Sequence, residues 1–250
     1  MTEDPSLRAY RDPSVVAHYD HDELRPAEAH LFERFVPRGG AVLDLGVGAG
    51  RTTPHLAARA TRYVGLDYSD AMIARCREKF PALDFVIGDA ADLSAFEDRS
   101  FDAVVFSFNG LGCLPEDAQR RRCLSEIARV TRPGGAFVFS LHNPRCVLFR
   151  PVLEGASLPK KAWRLAYAAG ISLKMAPARL RSPALRRGEG YVRDVVGHGG
   201  PRVYNATPKV VRAALSEAGL DLVETLPSTY PARPSSIWVP WYDYAARKRP

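Results

Sequence analysis

The chain has 250 residues, of which 46% are hydrophobic, 25% charged and 10% aromatic, so it can bury a core and is not disordered, collagen-like or a coiled coil. Its net charge is +7, and its four cysteines lie far apart without a Cys-x-x-Cys pair, so we predict neither a metal site nor a disulfide framework. No signal-peptide pattern is present, and no apolar run approaches the roughly 18 residues that span a bilayer. We therefore expect a cytoplasmic protein with no membrane partner.

Short apolar runs alternate with helical patterns along the chain. A helix is predicted over about 12–36, and five runs of strand type follow it: AVLDLG, RYVGLDY, LDFVIGD, FDAVVFSF and AFVFSLHN. Helical stretches separate most of these runs, among them His55–Ala60 and a longer one that Pro115-Glu116 opens and Gly134-Gly135 ends. This alternation is typical of a parallel sheet with helices on both faces. A further helix is predicted from Thr207-Pro208, and two last runs, DLVETLP and SIWVPWYDYAAR, are predicted to pair as an antiparallel hairpin.

Between the fifth run and the last helix lies an irregular, basic stretch. From Arg145 to Asp194 it contains eleven lysines and arginines against three acidic residues. Such a block can attract an anionic substrate, a nucleic acid or a membrane surface, or it can form only a solvated face. Because no aromatic pattern typical of RNA-binding proteins accompanies it, we expect no nucleic-acid partner.

A glycine-rich loop follows the first predicted strand. Gly46, Gly48 and Gly50 fall where a strand enters a helix, so that backbone can approach a ligand closely. A P-loop is excluded because Gly50 is not followed by Lys-Ser or Lys-Thr, and the dinucleotide fingerprint is excluded because Arg51 is too large for its third glycine. The remaining pattern is G-x-G-x-G preceded by Asp44, with a glycine turn that binds nothing as the alternative.

Polar residues also end the next three strands. Asp67 ends the second strand, 23 residues after Asp44, where a carboxylate can accept both ribose hydroxyls of a nucleoside. Asp89-Ala90 ends the third strand, where a carboxylate and a backbone N–H can recognise an adenine edge, and Ser107 follows the fourth. Each aspartate alone is also typical of a turn. Together they predict a nucleoside site at the carboxyl edge of the sheet.

Five motifs, VLDLGVGAGR, YVGLDYSDAMI, FVIGDAADL, FDAVVFSFNGLGCLP and IARVTRPGGAFVFSLHN, occur in this order. The sequence resembles class I S-adenosylmethionine-dependent methyltransferases of the small-molecule type over about 38–143 and 205–249. The resemblance implies an α/β fold with a Rossmann-like, doubly wound, seven-stranded sheet, mostly parallel with a terminal antiparallel hairpin, plus a cap insertion. It divides the chain into an N-terminal helical cover (1–37), a cofactor-binding core (38–144), a substrate-determining cap (145–204) and the last helix and hairpin (205–250).

The resemblance also implies S-adenosylmethionine as cofactor and S-adenosylhomocysteine as product. Asp44 with Gly46 and Gly48 would hold the methionine amino and carboxylate groups, and Asp67 would bind the ribose. The full set that the resemblance assigns to the cofactor is Tyr10, Asp44, Gly46, Gly48, Gly50, Asp67, Tyr68, Met72, Asp89, Ala90, Phe106 and Ser107.

We predict methyl transfer to the O, N or C atom of a small-molecule acceptor, of natural-product type or, given the arginines of the cap, anionic. A hydroxyl acceptor needs a base, for which the candidates are His142 after the fifth strand and His198 in a Gly-His-Gly-Gly loop. A structural role for either histidine is the alternative. The protein is expected as a monomer or homodimer. The competing functions are an RNA or protein methyltransferase and a descendant that binds the cofactor without methylating.

Overall fold

The computed structural model describes residues 23–151, 153, 155, 157–193 and 202–250, in which nine strands form one sheet. The strands are β1 (Gly40–Leu45), β2 (Ala60–Asp67), β3 (Asp84–Ile87), β4 (Phe101–Phe106), β5 (Thr131–His142), β6 (Glu189–Arg193), β7 (Arg202–Ala206), β8 (Leu220–Pro227) and β9 (Trp241–Lys248).

The described helices flank this sheet. They are α1 (Pro26–Phe35), α2 (Thr53–Ala57), α3 (Asp70–Lys79), α4 (Gly110–Cys113), α5 (Asp117–Val130), α6 (Leu158–Arg181), α7 (Pro183–Arg187) and α8 (Pro208–Glu217), with a 3₁₀ turn at Ser236–Trp238. Within these ranges, every helix falls short of the length and apolarity that crossing a membrane requires.

The strand order confirms the predicted fold class. Strands β3, β2, β1, β4 and β5 lie side by side and parallel. Strand β9 runs antiparallel to β5, and β8 antiparallel to β9, which completes a seven-stranded sheet with a terminal antiparallel hairpin. The order changes direction between β1 and β4, the switch point at which open α/β sheets bind ligands. Strands β6 and β7 are an additional antiparallel pair.

Both faces of the sheet are buried, which explains why its strands read as continuous apolar runs. In β1, Val42 belongs to the core that packs against α1, whereas the next residue, Leu43, belongs to the core on the opposite face. Leu31 of α1 and Ile127 of α5 are fully buried in these two cores. The sheet is therefore the middle of three layers, and its carboxyl edge is left free for a site.

Two predicted helix ends are wrong. Helix α2 ends at Ala57, because Ala60 already pairs with β1 in the parallel ladder. Helix α5 ends before Thr131, not at Gly134, because Thr131 begins β5 and pairs with β4. The predicted start of the first helix at Asp12 lies outside the described residues.

The β6–β7 hairpin lies beyond the carboxyl end of β4. Strand β9 occupies one edge of β5 as far as His142, which pairs with Trp241. On the other edge, β4 stops pairing at Phe139, and His142 then pairs with Asn205 of β7. The hairpin therefore continues the edge that β4 leaves, beside the switch point.

Candidate active site

A cleft of about 260 Å³ opens where β1, β2, β3 and β4 end. The residues predicted for a cofactor that line it are Gly46, Gly48, Asp67, Tyr68, Met72, Asp89, Ala90, Phe106 and Ser107. Within the described residues, Asp44 and Gly50 do not line the cleft, and Tyr10 lies outside those residues.

The loop after β1 has a backbone that favours glycine. Gly46, Gly48 and Gly50 have φ angles of +59°, +56° and +88°, in the left-handed region. A Cβ atom on Gly46 would lie 2.7 Å from Cε2 of the Phe106 ring, whereas one on Gly48 would meet nothing within 4 Å. Gly46 thus allows close packing against β4, and Gly48 leaves open space above the loop.

Asp67 connects the end of β2 to this loop. Its Oδ2 accepts a hydrogen bond from the Gly48 backbone N–H at 2.9 Å, and its Oδ1 accepts one from the Ser69 N–H at 2.9 Å. Burial raises the pKa of the carboxyl, although these backbone bonds act in the opposite direction. Backbone N–H groups of Gly48, Tyr68 and Ser69 use three of the roughly four lone-pair sites of the carboxylate, so Asp67 can still accept a hydrogen bond from a ligand hydroxyl.

Asp44 lies behind the loop. Its Oδ2 accepts hydrogen bonds from Thr52 Oγ1 at 2.6 Å and from the Tyr63 hydroxyl at 2.9 Å, and burial raises its pKa to about 6. Its Oδ1 is buried without a hydrogen-bond partner in the described part of the protein. A buried acceptor of this kind fits a donor supplied from outside the chain, such as a ligand ammonium or a water molecule.

The outer end of the cleft lies at the tip of β3. Asp89 is exposed there, and its Oδ1 accepts a hydrogen bond from the Ala91 N–H at 2.8 Å. Beside it, the Tyr68 side chain is 38% exposed, whereas Met72 is buried. An accessible carboxylate next to an aromatic ring and a thioether suits a flat, nitrogen-rich ring.

The end of β4 is locally strained. Phe108 and Asn109 are consecutive non-glycine residues with φ angles of 56° and 64°. The Asn109 N–H donates to Ser140 Oγ at 2.7 Å, which fixes this turn to β5. Backbone held in such rarely adopted conformations concentrates at functional sites, and Phe108 lines the cleft.

A buried ion pair fastens α1 to the glycine loop. Arg51 donates to both carboxylate oxygens of Glu28, at 2.6 and 2.9 Å, and to the Glu23 carbonyl at 3.1 Å. Burial opposes the ionisation of Glu28, but its bonds to Arg51 outweigh that and lower its pKa. In the sequence, Arg51 served only to exclude a dinucleotide fingerprint, and no spacing pattern signals its pairing with Glu28.

Aromatic rings and a second cation extend this arrangement. The Arg25 guanidinium lies 4.3 Å from the centre of the Phe108 ring and 4.2 Å from that of Trp241. It therefore bridges the strained turn after β4 and the start of β9, through contacts between a cation and aromatic faces.

The opposite wall of the cleft comes from α4 and the segment that follows it. The lining residues on this side are Gly110, Cys113, Leu114, Pro115 and Gln119. The Gln119 Oε1 atom is buried and has no hydrogen-bond partner among the described residues. Sequence reasoning gave no site role to Cys113, Leu114 or Gln119, because no spacing pattern marks them as site residues.

The β6–β7 hairpin holds this wall in place. The Tyr191 hydroxyl donates to the Leu114 carbonyl at 3.2 Å and accepts from Arg120 Nη1 at 2.7 Å. The same guanidinium lies 3.3 Å from the centre of the Tyr204 ring, and the Tyr204 hydroxyl donates to Glu189. The insertion after β5 thus supports this wall of the cleft.

The predicted catalytic histidines are not among the described residues that line the cleft. His142 is partly buried at the end of β5, with its ring centre 6.4 Å from that of Trp241 at an interplanar angle of 85°. His198 lies outside the described residues.

The cap arginines are also placed away from the cleft. Arg179 donates to the Asn143 carbonyl at 3.1 Å and to the Cys146 carbonyl at 2.7 Å, so it fastens α6 to the segment after β5. Arg181 and Arg186 are exposed. Among the described lining residues of the cleft, none of these three arginines occurs.

The known proteins and the protein family that this chain matches are described as methyltransferases. The family model described as "Methyltransferase domain" matches residues 42–135. A demethylmenaquinone methyltransferase of Beutenbergia cavernae is 44% identical over 100 residues, which are 40% of this chain and 40% of that protein. A phthiotriol/phenolphthiotriol dimycocerosates methyltransferase of Mycobacterium tuberculosis is 38% identical over 131 residues, 49% of this chain and 47% of that protein.

A solved structure extends the likeness over the whole fold. It is that of the Burkholderia thailandensis 1,6-didemethyltoxoflavin-N1-methyltransferase with bound 1,6-didemethyltoxoflavin and S-adenosylhomocysteine. It has a TM-score of 0.60 and 17% identity, and the match covers 100% of this chain and 92% of that one. At this identity the likeness shows the fold alone. Each of the two curated relatives is matched over less than half of its own length.

Proposed function

We propose that the protein transfers a methyl group from S-adenosylmethionine to a small-molecule acceptor, since its residues 42–135 match a family model described as a methyltransferase domain and the relatives it matches bear methyltransferase names. The observation that carries the proposal is the convergence of four strand ends on one cleft. Gly46 and Gly48 after β1, Asp67 at the end of β2, Asp89 after β3 and Ser107 after β4 all line it.

The residues present fit the cofactor. The open space above Gly48 and the remaining lone pair of Asp67 suit a ribose, and the unpartnered oxygen of Asp44 behind the loop can interact with an ammonium group through a water molecule. When bound, S-adenosylmethionine supplies a methyl group made electrophilic by its positively charged sulfur. The chain's own contribution is to align the reactants and to exclude water, for which Phe106 and Phe108 provide apolar surface beside Ser107.

The acceptor is proposed to bind between Phe108 and the wall formed by Cys113, Leu114, Pro115 and Gln119. This wall is apolar except for Gln119, whose buried Oε1 can accept a hydrogen bond from the acceptor. Arg51 is the single cation among the described lining residues, and it is already paired with Glu28. An uncharged, mainly apolar acceptor is therefore better supported than an anionic one. Both curated relatives carry the names of small-molecule acceptors.

Ligand binding tests the cofactor site. Thermal shift and calorimetry with S-adenosylmethionine, S-adenosylhomocysteine and NAD should show stabilisation by the first two ligands only. At 100 times the dissociation constant the gain is about 2.7 kcal/mol. Asp67→Ala should remove most of it, whereas Asp84→Ala, at an exposed position where β3 begins, should not. Stabilisation by NAD alone, or equal binding by both variants, would contradict the assignment.

Turnover tests the reaction. The protein is incubated with cofactor labelled in its methyl group and with pools of apolar small molecules, bulk RNA or an unrelated protein. Label recovered in a small organic product, with an equal amount of S-adenosylhomocysteine, is the expected result. Label in RNA or protein would support the macromolecular alternative. Conversion of an acceptor without loss of methyl from the cofactor would identify a descendant that no longer methylates.

A further inference from the structure

A second cavity, of about 530 Å³, lies at the edge of the sheet opposite the candidate active site. Its walls come from the end of α1 and the residues after it, the start of β4, the start of β5 and the end of β9. The parallel strands begin at this edge, and β9 ends there because it runs antiparallel to β5. None of its described lining residues also lines the candidate active site. The two cavities are therefore separate.

The lining of this second cavity carries an excess of positive charge. Its charged members among the described residues are Arg34, Arg38, Arg59, Arg132, Arg247, Glu33 and Asp102. Arg34 is paired at 3.1 Å with Glu224, which is not one of these lining residues. Four arginines then remain for two carboxylates, so the cavity has positive charge that its own lining does not balance.

Both carboxylates of the cavity already have partners. Glu33 accepts hydrogen bonds from Arg59 Nη1 and, at 3.5 Å, from Arg38 Nη2. Asp102 Oδ2 accepts from Arg132 Nη1 at 2.6 Å and from a backbone N–H at 2.8 Å. The Arg59 side chain is only 11% exposed, and it also bonds to backbone carbonyls at the end of α1. These contacts hold guanidinium groups on two walls of the cavity, one at the end of α1 and one at the start of β5.

Three of the arginines keep N–H groups available for a ligand. A guanidinium group has five N–H donors. Among the described residues, Arg247 donates to one acceptor, the Gly134 carbonyl at 2.7 Å, and Arg38 donates to one carboxylate at 3.5 Å. Arg132 uses its Nε and Nη1 atoms, and its Nη2 has no acceptor in the same part of the chain. The unused donors of three side chains around one cavity can therefore bind an anion.

We propose that this cavity binds a small inorganic polyphosphate, of which pyrophosphate is the simplest. Guanidinium groups match phosphate oxygens with paired N–H donors, and a concave site with surplus cations favours an anion that carries several charges. A single-stranded nucleic acid would offer bases as well as phosphates. The one aromatic ring among the described lining residues, that of Phe35, is only 7% exposed, so it gives bases no stacking surface. Bound polyphosphate would connect the end of α1 to β5 and β9.

Calorimetry tests this site. Full-length protein is titrated with pyrophosphate, and separately with inorganic phosphate, at physiological salt in magnesium-free buffer. We expect binding of pyrophosphate with a Kd at least about tenfold lower than that of phosphate. Arg247→Gln and Arg38→Gln should each raise the Kd for pyrophosphate about tenfold, because each removes a charged donor from the cavity. Arg186→Gln, at an exposed position of α7 outside the cavity, is the matched control and should leave this Kd unchanged.

Further titrations separate this cavity from other places where an anion could bind. Asp67→Ala should bind pyrophosphate as the unchanged protein does, and a loss of binding in this variant would place the anion at the glycine loop and overturn the proposal. Absence of pyrophosphate binding at physiological salt would also overturn it. So would an equal loss in Arg186→Gln and Arg247→Gln, or single-stranded RNA that binds more tightly than pyrophosphate and is weakened by Arg247→Gln. The unfolding temperature of each variant without ligand, measured in parallel, separates loss of the site from loss of the fold.

Discussion

Replacing Glu28 by Gln isolates the contribution of the buried ion pair that joins α1 to the glycine loop. The substitution keeps the shape of the side chain and removes its charge. In the protein, the side chains of Arg51 and Glu28 are only 7% and 4% exposed, and they share two hydrogen bonds of 2.6 and 2.9 Å. The variant therefore leaves the Arg51 cation buried with a neutral partner.

The expected cost follows from this burial. Breaking a buried pair by removing one partner costs about 3–5 kcal/mol, because the remaining charge is uncompensated. A glutamine can still accept one bond from Arg51, and Arg51 retains its bond to the Glu23 carbonyl at 3.1 Å, so we expect the lower limit, about 3 kcal/mol. The double variant Glu28→Gln/Arg51→Met removes the orphaned charge and should be less destabilised than the sum of the two single variants.

Urea unfolding at pH 7 measures this cost, with the slope against urea as the check that the unfolded state is unchanged. The control is Glu78→Gln, which breaks an exposed pair with Arg75 and should cost less than about 1 kcal/mol. If Glu28→Gln costs no more than Glu78→Gln, water screens the Glu28–Arg51 pair and the reasoning from burial is refuted.

Three other perturbations test separate parts of the protein. Gly46→Ala should weaken S-adenosylmethionine binding, measured by calorimetry, because its Cβ would displace the Phe106 ring. The control is Gly134→Ala. Gly134 also has a positive φ, of +74°, but a Cβ there would meet nothing within 4 Å, so the affinity for S-adenosylmethionine should not change. Burial raises the pKa of Asp243 from 3.8 to about 7, so the folded state binds this proton more tightly than the unfolded state does. The free energy of unfolding should therefore fall by on the order of 4 kcal/mol between pH 4 and pH 7. Urea titrations across this range should show the fall, and Asp243→Asn should remove most of it. Tyr191→Phe removes the hydroxyl that donates to the Leu114 carbonyl, in the wall of the cleft where we propose that the acceptor binds. It should raise the KM for the acceptor while the affinity for the cofactor stays constant. An unchanged KM would show that the β6–β7 hairpin does not position this wall.

The parts of the fold that sequence reasoning predicted are those with strong local signals. Continuous apolar runs identify strands buried on both faces, and glycines with a carboxylate after the next strand identify the switch-point loop. Asp67 and Asp89 were placed at the cleft in this way, because strand ends share one edge of a parallel sheet. Helix ends were less predictable. Helix α5 ends where β5 begins at Thr131, before the glycines at 134 and 135 that were expected to end it.

The remaining parts depend on contacts distant in sequence. Arg51 pairs with Glu28 across 23 residues, and Arg120 reaches Tyr191 across 71, with no pattern that marks either partner. The same limit applies to the basic stretch after β5. Its charge was evident, but only the three-dimensional structure shows that Arg179 is used for carbonyl contacts while the leucines of α6 face outward.

The place of β9 in the sheet sets the order in which a nascent chain can finish folding. Strand β9 covers one edge of β5 from Ala136 to His142 and lies between β5 and β8. Until the ribosome has released β9, that edge of a long, apolar strand keeps its backbone N–H and C=O groups unpaired, as a template for another chain. A polypeptide stalled near Pro240 would therefore carry a complete glycine loop and an uncovered β5, and it would be a substrate for chaperones.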